Sequence, residues 1–261
     1  VPAPTLAVDE TGLHPHRRQP RSQVTHGQVA PRTLRPELFA GTPKTVATPT
    51  TTAGADTQAV LLADNFAGVP RNQPLPDGSV HGTWRSDFHG YGTTQVTEED
   101  GQVVLSQQPQ TSTHPDETHA SMVSTTQSFG DMELDVSTRT VRQLRQGEPN
   151  PWETSWVTWH QTDNQHAYYL ALKTNGWELG KLDPSYPGGQ RFLATGNDPA
   201  FPVGTWNDVK VRQQGATMHV QVNGRDLATF TDQERPYLSG SVGLYNEDAH
   251  VQFKNVVVTE P

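Results

Sequence analysis

Six residues have the types and the spacing to do chemistry together: Arg139, Trp156, His160, Tyr169, Lys173 and Glu178. Strand alternation is what would gather them. Over residues 154–162, Val157 and Trp159 share one parity, assigned to a core, so Trp156, Thr158 and His160 point the other way. Over Ala167–Lys173, Leu170 and Leu172 take the core side and leave Tyr169, Ala171 and Lys173 outward. With Asn175-Gly176 as the central pair of a two-residue turn, Lys173 faces Glu178 across a hairpin, on the same outward face as Tyr169. Over Asp131–Arg139, Met132, Leu134 and Val136 read as core, with Glu133, Asp135, Ser137 and Arg139 outward. A pyranose has an apolar C–H face and a rim of hydroxyls, so aromatic faces flanked by forked polar groups suit a sugar. The bland alternative is a structural face, since an outward Trp also packs under a loop and an exposed Lys–Glu pair contributes only about 0–1 kcal/mol.

Those residues need strands to carry them, and the chain supplies strands. From about Ala59 onward short alternating runs recur between turn residues: Val60–Phe66, Gln102–Ser106, Met132–Thr138, Ser155–Gln161, Ala167–Lys173, Trp177–Leu182, Val209–Arg212, Thr217–Val222, Val242–Tyr245 and Val251–Val258. Asn175-Gly176 and Asn223-Gly224 mark two hairpins, because this dipeptide readily takes the positive φ angles of a type I′ turn. No stretch has the period of an amphipathic helix. So many strands without helices predict an all-β fold of two packed antiparallel sheets, a jelly-roll sandwich.

Residues 1–58 read differently. Prolines recur (Pro15, Pro20, Pro31, Pro36, Pro43, Pro49) and the run Thr48-Pro49-Thr50-Thr51-Thr52 follows, with no helical or strand period. Too little apolar surface is present to offset the cost of ordering, which predicts an extended tail or linker and a stalk open to O-glycosylation. The alternative role for this tail is to join neighbouring copies into a homo-oligomer. Val1-Pro2-Ala3-Pro4 suits a mature end after signal-peptide removal, and the expected location is secreted or cell-surface.

Charge and composition narrow the function classes. The formal net charge of −9 divides unevenly: residues 1–58 carry six Lys/Arg against four Asp/Glu, and the remainder 13 against 24. The acidic body repels nucleic acid, and the basic patch His14–Arg18 is too small to reverse that. The absence of Cys removes disulfides, thiolate metal sites and cysteine nucleophiles. No apolar run approaches the ~18–20 residues of a membrane span. Neither a phosphate-binding Gly loop nor a Gly-x-Ser-x-Gly elbow is present. His114 and His119 with Asp116 and Glu117 form a metal-like cluster whose spacing matches no metal motif, and it reads as a polar loop.

Several segments, in order, resemble the concanavalin A-like lectin/glucanase superfamily, with its laminin-G-like and laminarinase-like domains. They are Leu62-Ala63-Asp64-Asn65-Phe66; Phe129-Gly130-Asp131-Met132-Glu133-Leu134; Thr205-Trp206-Asn207-Asp208-Val209-Lys210-Val211, followed by Val220-Gln221-Val222-Asn223-Gly224-Arg225; and Gly240-Ser241-Val242-Gly243-Leu244, followed by Val251-Gln252-Phe253-Lys254-Asn255-Val256. The resemblance spans nearly all of residues 59–261. It implies a β-sandwich that holds a polysaccharide or glycan on one sheet face. It also implies a structural Ca²⁺ where the first and last strands meet, at Asp64 or Asn65 and at Asn255, although Asn255 stands where an Asp is more usual.

The same superfamily contains hydrolases, lyases, lectins and adhesion modules, so function rests on the site. Laminarinase-like hydrolases place three carboxylates on one strand; Glu133-Leu134-Asp135-Val136-Ser137 comes nearest and has Ser137 in the third place. A retaining glycosidase needs two carboxyls about 5–5.5 Å apart, and no such pair is evident. Some jelly-roll lyases resemble the Tyr169, Lys173, Gly176 spacing. In that reading Arg139 or Lys173 neutralises a uronate, while His160 or Tyr169 serves as base and acid. Carbohydrate binding, polysaccharide cleavage and structural assembly all stay open on the sequence.

Overall fold

The computed structural model describes residues 58–114 and 116–261. The expected tail lies almost wholly outside the described residues, as does any contact it makes with another copy. Sixteen strands follow one another: β1 (Val60–Asp64), β2 (Val80–His81), β3 (Trp84–Phe88), β4 (Thr93–Glu99), β5 (Gln102–Gln108), β6 (Ala120–Thr125), β7 (Met132–Gln143), β8 (Ser155–Asp163), β9 (His166–Lys173), β10 (Gly176–Leu182), β11 (Gln190–Gly196), β12 (Asn207–Gln214), β13 (Thr217–Val222), β14 (Arg225–Thr231), β15 (Ser241–Glu247) and β16 (Ala249–Thr259). Among the described residues a 3₁₀ turn, Pro187–Gly189, interrupts them.

The strands form two antiparallel sheets of eight, as expected of a sandwich. The first runs β14-β13-β12-β7-β16-β5-β4, with β1 also paired to β16; the second runs β11-β10-β9-β8-β15-β6-β3-β2. Each of the ten alternating runs holds a strand. The other six are β2, β3, β4, β6, β11 and β14, and four of these are sheet edges. An edge strand has one neighbour and less area to bury, so its alternation is weak. In β4 (Thr-Thr-Gln-Val-Thr-Glu-Glu) Val96 is the one apolar residue.

Between the sheets lies the main core. Val157 and Trp159 of β8, Tyr168, Leu170 and Leu172 of β9, and Trp177 and Leu179 of β10 meet Leu134 and Val136 of β7 and Val251 and Phe253 of β16. Full burial of side chains this size contributes roughly 1.5–3 kcal/mol each. The indole of Trp159 donates to Gln213 Oε1 at 2.7 Å, so its polar edge is satisfied inside the core.

One inward position carries a charge. Lys181 of β10 is 0% exposed, and its ammonium donates to Asp232 Oδ2 at 2.8 Å and to the carbonyls of Glu234 and Arg235 at 2.8 and 2.6 Å. It also stands 4.4 Å from the ring centre of Tyr237. Asp232 accepts the Tyr168 hydroxyl as well, at 2.7 Å. A buried ammonium is tolerable only with its three donors met, and this set meets them while tying residues 232–237 to the sheet.

The two Asn-Gly pairs behave differently. Asn223 and Gly224, with φ of 53° and 74°, join Val222 directly to Arg225 in the expected type I′ turn. In the β9–β10 hairpin the central residues are Thr174 and Asn175, because Lys173 pairs with Gly176 and Leu172 with Trp177. The register is therefore two residues from the expected one, and Glu178 faces Ala171 instead of Lys173. A slip of two preserves every face. Gly176 answers to another demand: a Cβ there would lie 2.0 Å from the carbonyl oxygen of Gly196 on the neighbouring strand.

Candidate functional site

The face of the second sheet turned away from the core is built in rows. Direct pairing carries one row across six strands: Glu178, Ala171, Trp156, Tyr245, Met122 and Phe88. The next row runs Gly180, Tyr169, Thr158, Gly243 and Ser124. Ala171 stands beside Trp156 in the first row, and Gly180 and Thr158 flank Tyr169 in the second, so these two rings each have a small neighbour to lie across. Tyr169 stacks on Trp156 with ring centres 4.7 Å apart and planes 26° apart, and Tyr245 meets Trp156 edge-on at 5.4 Å. Phe88 then meets Tyr245 edge-on at 6.4 Å. The Trp156 indole donates to the carbonyl of Trp152 at 2.9 Å, which fixes the ring's tilt.

Carboxylates border this aromatic floor on two sides. Glu178 Oε1 accepts the Tyr169 hydroxyl at 2.7 Å, and Lys173 Nζ stands 3.6 Å from Glu178 Oε2. Across the floor, Tyr245 donates to Glu247 Oε1 at 2.9 Å. Burial, then the Glu247 charge beside it, pushes the Tyr245 phenol well above its ordinary range, so it stays a donor. Glu178 and Glu247 sit on β10 and β15, three strands apart, about 14 Å between backbones at the usual spacing, and each accepts from a different phenol. A cavity with room for about one water opens above Trp156 and Tyr245, edged by Thr158, Asn164, Gln190 and Glu247.

Parity was legible in advance; exposure was not. Trp156, Tyr169, Lys173 and Glu178 come together as expected, but Trp156 is only 3% exposed and Tyr169 0%. The rings lie along the sheet and form a second apolar cluster with Met122, Ala171, Leu182 and Tyr245. Nothing in the sequence pairs β15 with β8, so Tyr245 and Glu247 were not expected on this face. The spacing Gly243, Tyr245, Glu247 would have put all three on one face.

His160 leaves the face. The β8–β9 pairing shifts between Trp159 and Asp163, and His160 takes φ +48° at that bulge, which re-aims its side chain. Its ring is fully buried, with Nδ1 2.8 Å from the Tyr237 carbonyl and Nε2 2.8 Å from that of Gly130. Arg139 belongs to the other sheet: on β7 it donates to Gln252 Oε1 at 2.6 Å and Glu99 at 2.7 Å, beside the Trp206 ring. The segment Glu133–Ser137 shares that far face, where Lys210 bridges Glu133 and Asp135 at 2.6 and 2.9 Å. Alternation gives a side for each residue but not the sheet its strand joins.

The residues expected to hold Ca²⁺ do meet at one place, since Asp64 pairs with Val256, next to Asn255 in a left-handed bulge at φ +54°. The side-chain oxygens of Asp64 and Asn65 already serve the chain. Asp64 accepts the Phe66 amide at 2.5 Å and the Thr83 hydroxyl at 2.8 Å, and Asn65 accepts the Ala67 amide at 3.1 Å. Among the described residues no group of three or more His, Asp or Glu stands where it could hold a metal ion. No described helix is long and apolar enough to cross a membrane.

Comparison with known proteins places this architecture. The model of a family described as a 3-keto-alpha-glucoside-1,2-lyase-like domain matches residues 71–259. Carbohydrate binding module CBM66 from Bacillus subtilis superposes with a TM-score of 0.50 at 13% identity, over 70% of this chain and 99% of that one. SCLam, a non-specific endo-beta-1,3(4)-glucanase from family GH16, gives 0.51 at 12%, over 79% and 92%. A Bacillus subtilis protein of unknown function with a galectin-like fold gives 0.50 at 15%, over 76% and 98%. The fold is thus a jelly-roll β-sandwich of the kind seen in these carbohydrate-binding and glucanase structures. A comparison with curated protein sequences finds no match.

Proposed function

Because the chain belongs to the 3-keto-alpha-glucoside-1,2-lyase-like domain family, we propose that it binds a glycoside over the Trp156–Tyr169–Tyr245 face of its second sheet. The family description and the carbohydrate-binding and glucanase neighbours support a sugar-binding or glycoside-hydrolase-like domain. The finer reading is a secreted module that recognises a polysaccharide. The observation that carries it is the stacked Trp156–Tyr169 pair with the Glu178 carboxylate fixed at its edge by a phenol and an ammonium. An indole face offers the C–H side of a pyranose its surface, and a carboxylate beside it accepts from ring hydroxyls. With room for about one water at present, a sugar enters only if the side chains above the floor move apart.

A second reading is cleavage. Tyr169 and Glu178 form a hydrogen-bonded phenol–carboxylate pair, groups of the kind that general acid–base chemistry uses, beside a cation, Lys173, that would stabilise developing negative charge. Arg139 and His160 stand away from this pair, so a uronate lyase built on them loses two of its parts.

One experiment separates these: a glycan array run beside product assays on 3-keto-alpha-glucosides and on uronic-acid polysaccharides. Binding without products supports the module, and products that vanish in Glu178→Gln support cleavage at this face. Silence in both overturns the proposal and leaves a structural role.

A further inference from the structure

Gly180 stands directly opposite Tyr169 in the β9–β10 pairing. A Cβ at position 180 would lie 2.2 Å from both the Cζ and the hydroxyl oxygen of Tyr169, and 2.5 Å from Cε1. The phenol ring therefore lies on the β10 backbone at a point where that strand has no side chain. A glycine in a strand interior weakens the strand, and one explanation for it is the close approach of another group. Gly180 is absent from the glycines with positive φ, so the backbone itself makes no such demand.

The ring's position has two consequences on this face. The ring stacks on Trp156 at 4.7 Å, and its hydroxyl reaches Glu178 Oε1, two residues back along β10 on the same side. A ring that is 0% exposed has little freedom to step aside. The rival explanation is the register shift between Leu179 and Gly180 in the β10–β11 pairing, since bulges also favour glycine.

We infer that Gly180 is a positioning residue of the candidate site: by lacking a side chain it orients Tyr169, and through Tyr169 it sets the Glu178 carboxylate and the Trp156 ring. The inference rests on the reading of this face as the glycan site. It gives the site a steric condition: position 180 must stay empty for the phenol to serve the carboxylate.

A double-mutant cycle with Gly180→Ala and Tyr169→Ala in the full chain tests it. Two signals are read: affinity for the glycan that the wild type binds on the array, and Trp156 emission, taken as the difference between each variant and its Trp156→Phe counterpart. Gly180→Ala alone is expected to weaken binding by about tenfold or more and to shift the emission. In the Tyr169→Ala background it is expected to add less than about a twofold change in either signal. If Gly180→Ala does not fold but the double variant does, the coupling stands. Equal effects in both backgrounds, loss of folding in both, or a Gly180→Ala protein identical to wild type overturn the inference. If the wild type binds no glycan, the functional reading falls and the emission cycle alone decides the role of Gly180.

Discussion

Lys173 and Glu178 meet at 3.6 Å although neither faces the other: Lys173 pairs with Gly176 and Glu178 with Ala171, so the contact runs diagonally across the hairpin. Their side chains are 15% and 6% exposed, which removes much of the solvent screening that makes surface pairs weak. Lys173→Met is expected to destabilise the protein by about 1–3 kcal/mol, between the exposed and the fully buried cases. Urea unfolding measures this, and a loss indistinguishable from zero would mean that solvent still screens the pair.

The burial of Trp156 changes what its removal does. An outward, exposed Trp could be truncated without touching the fold, as alternation alone suggests. At 3% exposure, Trp156→Ala is expected to cost about 3–5 kcal/mol as well as any binding. Trp156→Phe retains most of the ring and is the better variant for reading glycan affinity. A Trp156→Ala protein that melts with the wild type would show that the face opens freely in solution.

Lys181→Met leaves the Asp232 carboxylate buried without its ammonium and frees the carbonyls of Glu234 and Arg235. Breaking such a pair typically costs about 3–5 kcal/mol. Lys181→Met/Asp232→Asn is expected to recover part of that loss, because the buried carboxylate, left with only the Arg191 guanidinium at 3.5 Å, goes too. Thermal melts of both variants give the comparison, and a double variant less stable than the single one contradicts it.

Asp183 should leave a mark in acid. Burial alone would raise its carboxyl, but the Ser185 hydroxyl and amide and the Arg235 guanidinium outweigh that and bring it from 3.8 to about 2. The folded state then holds the proton less tightly than the unfolded chain. Its stabilising contribution is complete above pH 3.8 and disappears as the pH falls through about 2. Asp183→Asn is expected to flatten the stability curve across that window, as followed by urea midpoints at several pH values. An unchanged slope would assign the acid sensitivity elsewhere.

A structural Ca²⁺ where β1 and β16 meet, at Asp64, Asn65 and Asn255, is a proposal that the local hydrogen bonds oppose. The ion would have to compete with the Phe66 and Ala67 amides for the same oxygens. Millimolar Ca²⁺ is therefore expected to raise the melting temperature only slightly, and a chelator to reverse it. No response to either removes the ion from the account.

What the sequence determined by itself was the two-sheet class and the side of each strand on which a residue lies. Both follow from a period of two that needs no knowledge of partners, and the β9–β10 hairpin shows how robust that is: its register differs by two residues, and Tyr169, Lys173 and Glu178 still share a face. Tertiary structure decided what alternation cannot encode. Sheet membership put Arg139 and Glu133 on the far side of the sandwich, and a bulge turned His160 into the space between segments. Pairing of β15 with β8 brought Tyr245 and Glu247 to the site. Side-chain packing laid Trp156 and Tyr169 along the sheet, so that residues read as an exposed surface became a second cluster. These outcomes depend on contacts between residues far apart in the chain, where local spacing carries no information.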